Sequence, residues 1–161
     1  MKSFYNPKQS ALRLMFSPKK LSGSITIANS LQKHAKGKVQ KGAKVFDWEN
    51  ALTFSISDEE ADEIVLSLHT KNDISLQHFP TEGNVKGVSY LHVRILDYTS
   101  NNHPKRLNVT INRKIGNVNQ SVTYTTLSLY QTRSFIKFLK FVSELPYWAE
   151  MAAVFGFNWP K

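Results

Sequence analysis

The middle of the chain alternates apolar and polar positions and then changes period. Leu52, Phe54 and Ile56 interleave with Thr53 and Ser55, the period-two pattern of a half-buried strand. From Ser57 onward the period becomes helical: Ala61, Ile64, Val65 and Leu68 recur at i, i+3, i+4 and i+7 and make one apolar stripe. Ser57 and Glu60 have the spacing of a capping box, and Asp58 and Glu59 put negative charge at the positive end of that helix. Upstream, residues 1–9 read as an arm. A strand over 10–16 carries Leu12, Leu14 and Phe16 on one face and Arg13 on the other, and a second over 24–31 turns Ile25 and Ile27 inward. Residues 33–44 have no periodicity and read as a basic loop, followed by a short strand at 44–46.

Downstream the alternation is cleaner. A strand over 73–79 is closed by Pro80, and 81–87 reads as a turn. In 89–98, Leu91, Val93 and Ile95 oppose Tyr90, His92 and Arg94; in 105–112, Leu107, Val109 and Ile111 oppose Arg106, Asn108 and Thr110. After a loop at 113–120, Val122 and Tyr124 alternate with Thr123 and Thr125. A second helix over 128–145 carries Phe135, Phe138, Leu139, Val142 and Leu145, widened by Ile136 and Phe141, and Pro146 ends it. So broad an apolar face suits both the chain's own sheet and a second copy, which makes Phe135, Phe138, Leu139 and Val142 the expected oligomer interface. The order is four strands, a helix, four strands and a helix, which predicts an α+β fold with two antiparallel four-stranded sheets rather than parallel βαβ units. Residues 1–150 form one domain, and 151–161, with Phe155, Phe157 and Trp159, form a hydrophobic tail. Such a tail has three readings: a lid over a binding surface, a docking peptide for a replication or recombination protein, or the finishing piece of the core.

Charge changes the picture by its distribution. The net charge is +9, but residues 1–46 hold ten Lys or Arg and no acid, 47–97 hold ten acids against three bases, and 98–143 hold seven bases and no acid. Two basic blocks bracket an acidic one, as a folded object with a cationic side for a phosphate-rich partner would need. Cysteine is absent, which excludes disulfides and a thiolate zinc site. The five histidines form no HxH or HxxxH pair, and no P-loop or GxSxG motif occurs, so neither an enzyme, a metal nor a cofactor is expected. No apolar run approaches the roughly 20 residues that span a bilayer. With no apolar secretory segment at its N-terminus, the expected location is the cytoplasm, or the host cytoplasm for a viral protein.

Single-stranded nucleic acid is held by cations for its backbone and flat groups for its bases. Arg13, Arg94, Arg106 and Asn108 on polar strand faces, with Tyr90 and His92 beside them, are the candidate contact surface. Lys36, Lys38, Lys41 and Lys44 add sequence-independent attraction to phosphate, or blunt a sheet edge. Trp48 is either a stacking platform or a core residue.

The run Phe46-Asp47-Trp48, a charged turn, a strand ending in Phe54-Ser55-Ile56-Ser57 and an acidic amphipathic helix resembles the middle of the Whirly family of single-stranded DNA-binding proteins. Lys8, Ala11 and Leu12 fall on that family's lysine-glycine-lysine-alanine-alanine-leucine motif, whose glycine and second lysine are absent here; Lys8 thereby joins the candidate nucleic-acid contacts. The strand up to Pro80 and the run Leu145-Pro146-Tyr147-Trp148 match the family's order of elements. The resemblance implies two antiparallel sheets packed at an angle, helices that join protomers into a tetramer, and single-stranded DNA crossing the sheets with little sequence preference. A short chain of this kind resembles a bacterial or phage member. The expected function is to coat and protect single-stranded DNA in replication, recombination or repair. Alternatives are an RNA-binding or transcription-regulating module, and a structural oligomer that holds an acidic protein.

Overall fold

The computed structural model describes residues 1–32 and 44–160. Its first sheet has the order β1 (Lys2–Asn6), β2 (Ser10–Ser17), β3 (Ser22–Asn29) and β4 (Leu52–Ser57), every neighbouring pair antiparallel. Helix α1 (Asp58–His69) follows β4 without a gap. Its capping box is as expected: the Glu60 amide donates to Ser57 Oγ at 3.1 Å, and the Ser57 amide donates to Glu60 Oε2 at 3.0 Å. The second sheet comprises β5 (Ile74–His78), β7 (Val85–Tyr98), β8 (Pro104–Ile115) and β9 (Val118–Thr125) in that order, with the two-residue β6 (Thr81–Glu82) paired to the start of β7. Helix α2 (Leu129–Phe155) closes the fold.

One core joins the two sheets and both helices. Leu12, Leu14, Ile25, Ile27, Phe54 and Ile56 from the first sheet meet Leu91, Val93, Val109, Ile111 and Tyr124 from the second. Ile64 and Leu68 of α1 and Phe135, Leu139, Val142 and Leu145 of α2 fill the rest. The helix packs closely where β3 begins: a Cβ on Gly23 would lie 2.8 Å from Val142 Cγ2 and 3.0 Å from Phe138 Cζ.

Four expectations are corrected. Residues 2–6 are not an arm but strand β1, whose Phe4 pairs with Leu12 and is buried. Residues 44–46 are no separate strand; Phe46 makes an isolated bridge with Ser30. The loop expected at 113–120 shrinks to Gly116-Asn117, with Gly116 at φ 57, a conformation that only glycine adopts freely, so β8 and β9 run almost to the turn. Nor does Pro146 end α2. A proline removes one amide bond of the ladder, and the buried Leu145 and Ala152 on either side hold the helix on course until Gly156 stops it at φ 72. Residues 151–155, the start of the hydrophobic tail, therefore form the last turn of α2, and Trp159 Nε1 donates to the Pro18 carbonyl at 3.1 Å.

Candidate nucleic-acid interface

On β7 the side chains that alternate with the core residues point away from it. Tyr90 and His92 stand two residues apart on that outer face with their rings stacked, centroids 5.7 Å apart and planes 13° from parallel. Gln77 Nε2 on β5 donates to the Tyr90 hydroxyl at 3.0 Å and fixes the ring's direction. Arg94 continues the line and is exposed, with its Nε 3.8 Å from Asp73 Oδ2. An exposed pair of that length stabilises little and leaves the guanidinium free to exchange partners. Across the ladder, Tyr90, His92 and Arg94 face Asn112, Thr110 and Asn108 of β8. These polar groups satisfy one another through β9: Thr125 Oγ1 donates to Asn108 Oδ1 at 2.6 Å, and Thr110 and Thr123 share a hydroxyl bond of 2.7 Å. Arg106 lies exposed at the same end of β8. The result is a flat polar floor with an aromatic pair and two cations on top, able to stack bases and neutralise phosphates.

Arg13 belongs to a different surface. It lies on the outer face of the first sheet with its guanidinium carbon 3.9 Å from the centre of the Trp48 ring, a cation–π contact. Phe46 lies beside Trp48 at 6.3 Å and Tyr5 beside Phe46 at 5.5 Å, so three rings and one cation form a continuous row. Ala11 and Ala28 are fully buried although their strand positions face outward, so this end of the face is covered, while Met15, Thr53 and Ser55 further along it are exposed. Trp48 is thus half-buried and engaged on one side by Arg13, whose buried Nε has no hydrogen-bond partner among the described residues. Lys8 is exposed in the turn between β1 and β2, and Lys44 is paired with Glu49 Oε1 at 3.0 Å. Lys36, Lys38 and Lys41 lie outside the described residues.

A cleft of about 360 Å³ that the sequence did not reveal lies between edge strand β4 and the second sheet. His78 stacks on Phe54 with ring centres 4.1 Å apart and meets Glu60 Oε1 at 2.6 Å, so the carboxylate that caps α1 also holds the imidazole. Arg113 enters the same cleft opposite Ser89, and its buried Nε has no hydrogen-bond partner among the described residues. Phe79 stands 74% exposed at the rim. The signal for Arg113 was present: it continues the 107, 109, 111 alternation, but a loop was expected from 113.

The four residues expected at an oligomer interface lie against the chain's own core. Phe135, Leu139 and Val142 have no exposed surface within the single chain, and Phe138 packs partly buried against the core, because the widest part of the α2 stripe is used up on the chain's own sheets. The exposed large apolar groups of α2 are Tyr130 in its first turn and Phe141, Tyr147, Trp148, Val154 and Phe155 further along. Two tyrosines are perturbed. Burial pushes the Tyr124 hydroxyl up to about 12, partly offset by its 2.9 Å bond to Gln131 Oε1, whereas a hydrogen bond and the charge of Lys2 lower Tyr130. Among the described residues no three His, Asp or Glu side chains are grouped so as to hold a metal ion, and no helix is long and apolar enough to cross a membrane.

No family model and no curated protein matches the sequence. The structure of the plant transcriptional regulator PBF-2 matches with a TM-score of 0.58 and 17% sequence identity, over 96% of this chain and 94% of that one. PBF-2 is a plant Whirly protein, and the α+β arrangement of two antiparallel sheets and two helices is Whirly-like, as the sequence motifs imply; the short β6 is an addition to the expected four strands of the second sheet.

Proposed function

We propose that this protein binds single-stranded DNA across the outer face of its second sheet and coats it with little sequence preference, in the service of replication, recombination or repair. The observation that carries the reading is the row Tyr90, His92, Arg94, where stacked rings and a loosely paired cation stand side by side on a flat polar sheet. Stacking tolerates any base and phosphate contact tolerates any sequence, so such a surface selects single strands without reading them. The reading is of a binding protein, not an enzyme. It includes assembly of several copies, a tetramer by analogy with the fold, through the exposed apolar face of α2 rather than through its buried one.

The Arg94→Ala, Arg106→Ala double variant tests it. Binding to mixed-sequence single strands weakens alike for every sequence, and the log–log salt slope falls by about 1.4 for two lost phosphate contacts. Unchanged binding across several salt concentrations would mean that the wrong sheet face has been chosen. A second reading, a transcription-regulating module, is favoured by the likeness to PBF-2; strong preference for one promoter strand over random strands would indicate it.

A further inference from the structure

A hollow of about 680 Å³ opens where the end of α1 and the first half of α2 meet the connection between β7 and β8, and it shares no residue with the surfaces described above. Its floor is apolar, made by Val65, Leu68 and Ile136. Its walls carry His69, Lys71, His103, Arg133 and Lys140 and no carboxylate. Among the described residues none of these five forms an ion pair.

Cations gather naturally at the C-terminus of a helix when they cap its open carbonyls. Here that need is already met: the carbonyls of Leu66, Ser67 and Leu68 accept bonds from the amides of Thr70, Asn72 and Lys71 at 2.9, 2.8 and 3.3 Å. Ordinary solvation accounts for scattered lysines but gives no reason to collect repelling charges around an oily floor. Two residues of the wall, Lys71 and Asn102, are also held at φ 62 and 59, a backbone region unfavourable for residues with a Cβ. The volume is that of a site for one small ligand.

We propose that the hollow is a nucleotide site, with a base over Val65, Leu68 and Ile136 and its phosphate among Lys71, Arg133 and Lys140. The inference deepens the proposed function and rests on it for the source of the nucleotide. Pro104 lines the hollow and begins β8, while Arg106, two residues on, shares the sheet end with Arg94. Lys105 lies between the two, its ammonium at an exposed 4.0 Å contact with Asp97. The cationic surface of the second sheet therefore runs round its β7–β8 end into the hollow, and a strand lying on the sheet delivers its next nucleotide there. A free mononucleotide offers the same groups.

The test uses the full chain and an Arg133→Ala, Lys140→Ala double variant, both side chains being exposed. It has two arms: titration with single-stranded DNA of increasing length, and the effect of adenosine monophosphate on the amide resonances of Val65 and Ile136. If the nucleotide comes from a bound strand, long strands bind the variant roughly tenfold more weakly with a salt slope reduced by about 1.4, while the shortest strands bind both proteins alike. If it is free, strands of every length bind alike, and the mononucleotide shifts those resonances in the natural protein but not in the variant. The inference is overturned if the loss is equal at every length, or if strands bind alike and the mononucleotide shifts the resonances in neither protein or equally in both. If the natural protein binds no strand at all, the sheet reading falls while the mononucleotide arm still decides the hollow.

Discussion

Tyr90 and Tyr124 show how one residue type serves two ends when the strand pattern points it in opposite directions. Tyr90, at an even position of β7, has its hydroxyl held by Gln77 and its ring free beside His92. Tyr124 faces inward, has no exposed surface and bonds to Gln131. Replacing Tyr90 with alanine is part of the same titration as the arginine pair, and loss of a stacked base there is worth about 1 to 3 kcal/mol. For Tyr124 the expectation concerns pH. Burial raises its hydroxyl from 10.0 to about 12 in the folded chain, so the neutral form is favoured on folding. Between those values the unfolded chain has released the proton and the folded chain has kept it. The contribution is thus full below pH 10 and is lost as pH rises toward 12. Thermal melts from pH 9 upward should show a steeper alkaline loss than the Tyr124→Phe variant shows; equal slopes would contradict this account of the burial.

At the scale of elements, the contact between α2 and β3 leaves no room for a side chain at Gly23. Gly23→Ala inserts a methyl group against Val142, Phe138 and Ile56, none of which can retreat without disturbing the core. We expect a loss of about 1 to 3 kcal/mol in denaturant unfolding, and a neutral result would mean that α2 sits less closely on the sheet. The elements themselves were largely legible from pattern. Alternation placed β2, β3, β4 and the cores of β7, β8 and β9, and the capping box fixed the start of α1, because local chemistry decides those features. The failures were where tertiary packing outweighed local signals. Lys2–Asn6 forms a strand because β2 offers it an edge and Phe4 a place in the core. Pro146 lies inside α2 because buried neighbours on both sides continue the helix. Of the candidate site, the shared face of Tyr90, His92, Arg94 and Asn108 followed from parity along strands. The partnership of Arg13 with Trp48 did not, since it joins residues from separate segments, and neither did the entry of Arg113 into the cleft beside His78.

Taken as a whole, the molecule spends its apolar and polar surfaces unevenly. The sheets enclose one core and turn polar faces outward, while the last turns of α2 leave Trp148 and Phe155, with Phe157 just beyond, 45%, 62% and 72% exposed. Apolar groups gathered in this way usually mark an interaction surface. Light scattering is expected to give the mass of an oligomer, reduced by Phe155→Asp; a monomeric natural protein would remove assembly from the account. The central claim, that the second sheet carries single-stranded DNA, is tested most directly by fluorescence-anisotropy titration of the full chain with mixed-sequence single-stranded DNA, duplex DNA and single-stranded RNA at low and moderate salt. The account predicts tight, salt-sensitive binding to single-stranded DNA, weak binding to duplex and little dependence on sequence. Indifference to all three would contradict it and leave the cationic surface to an acidic protein partner.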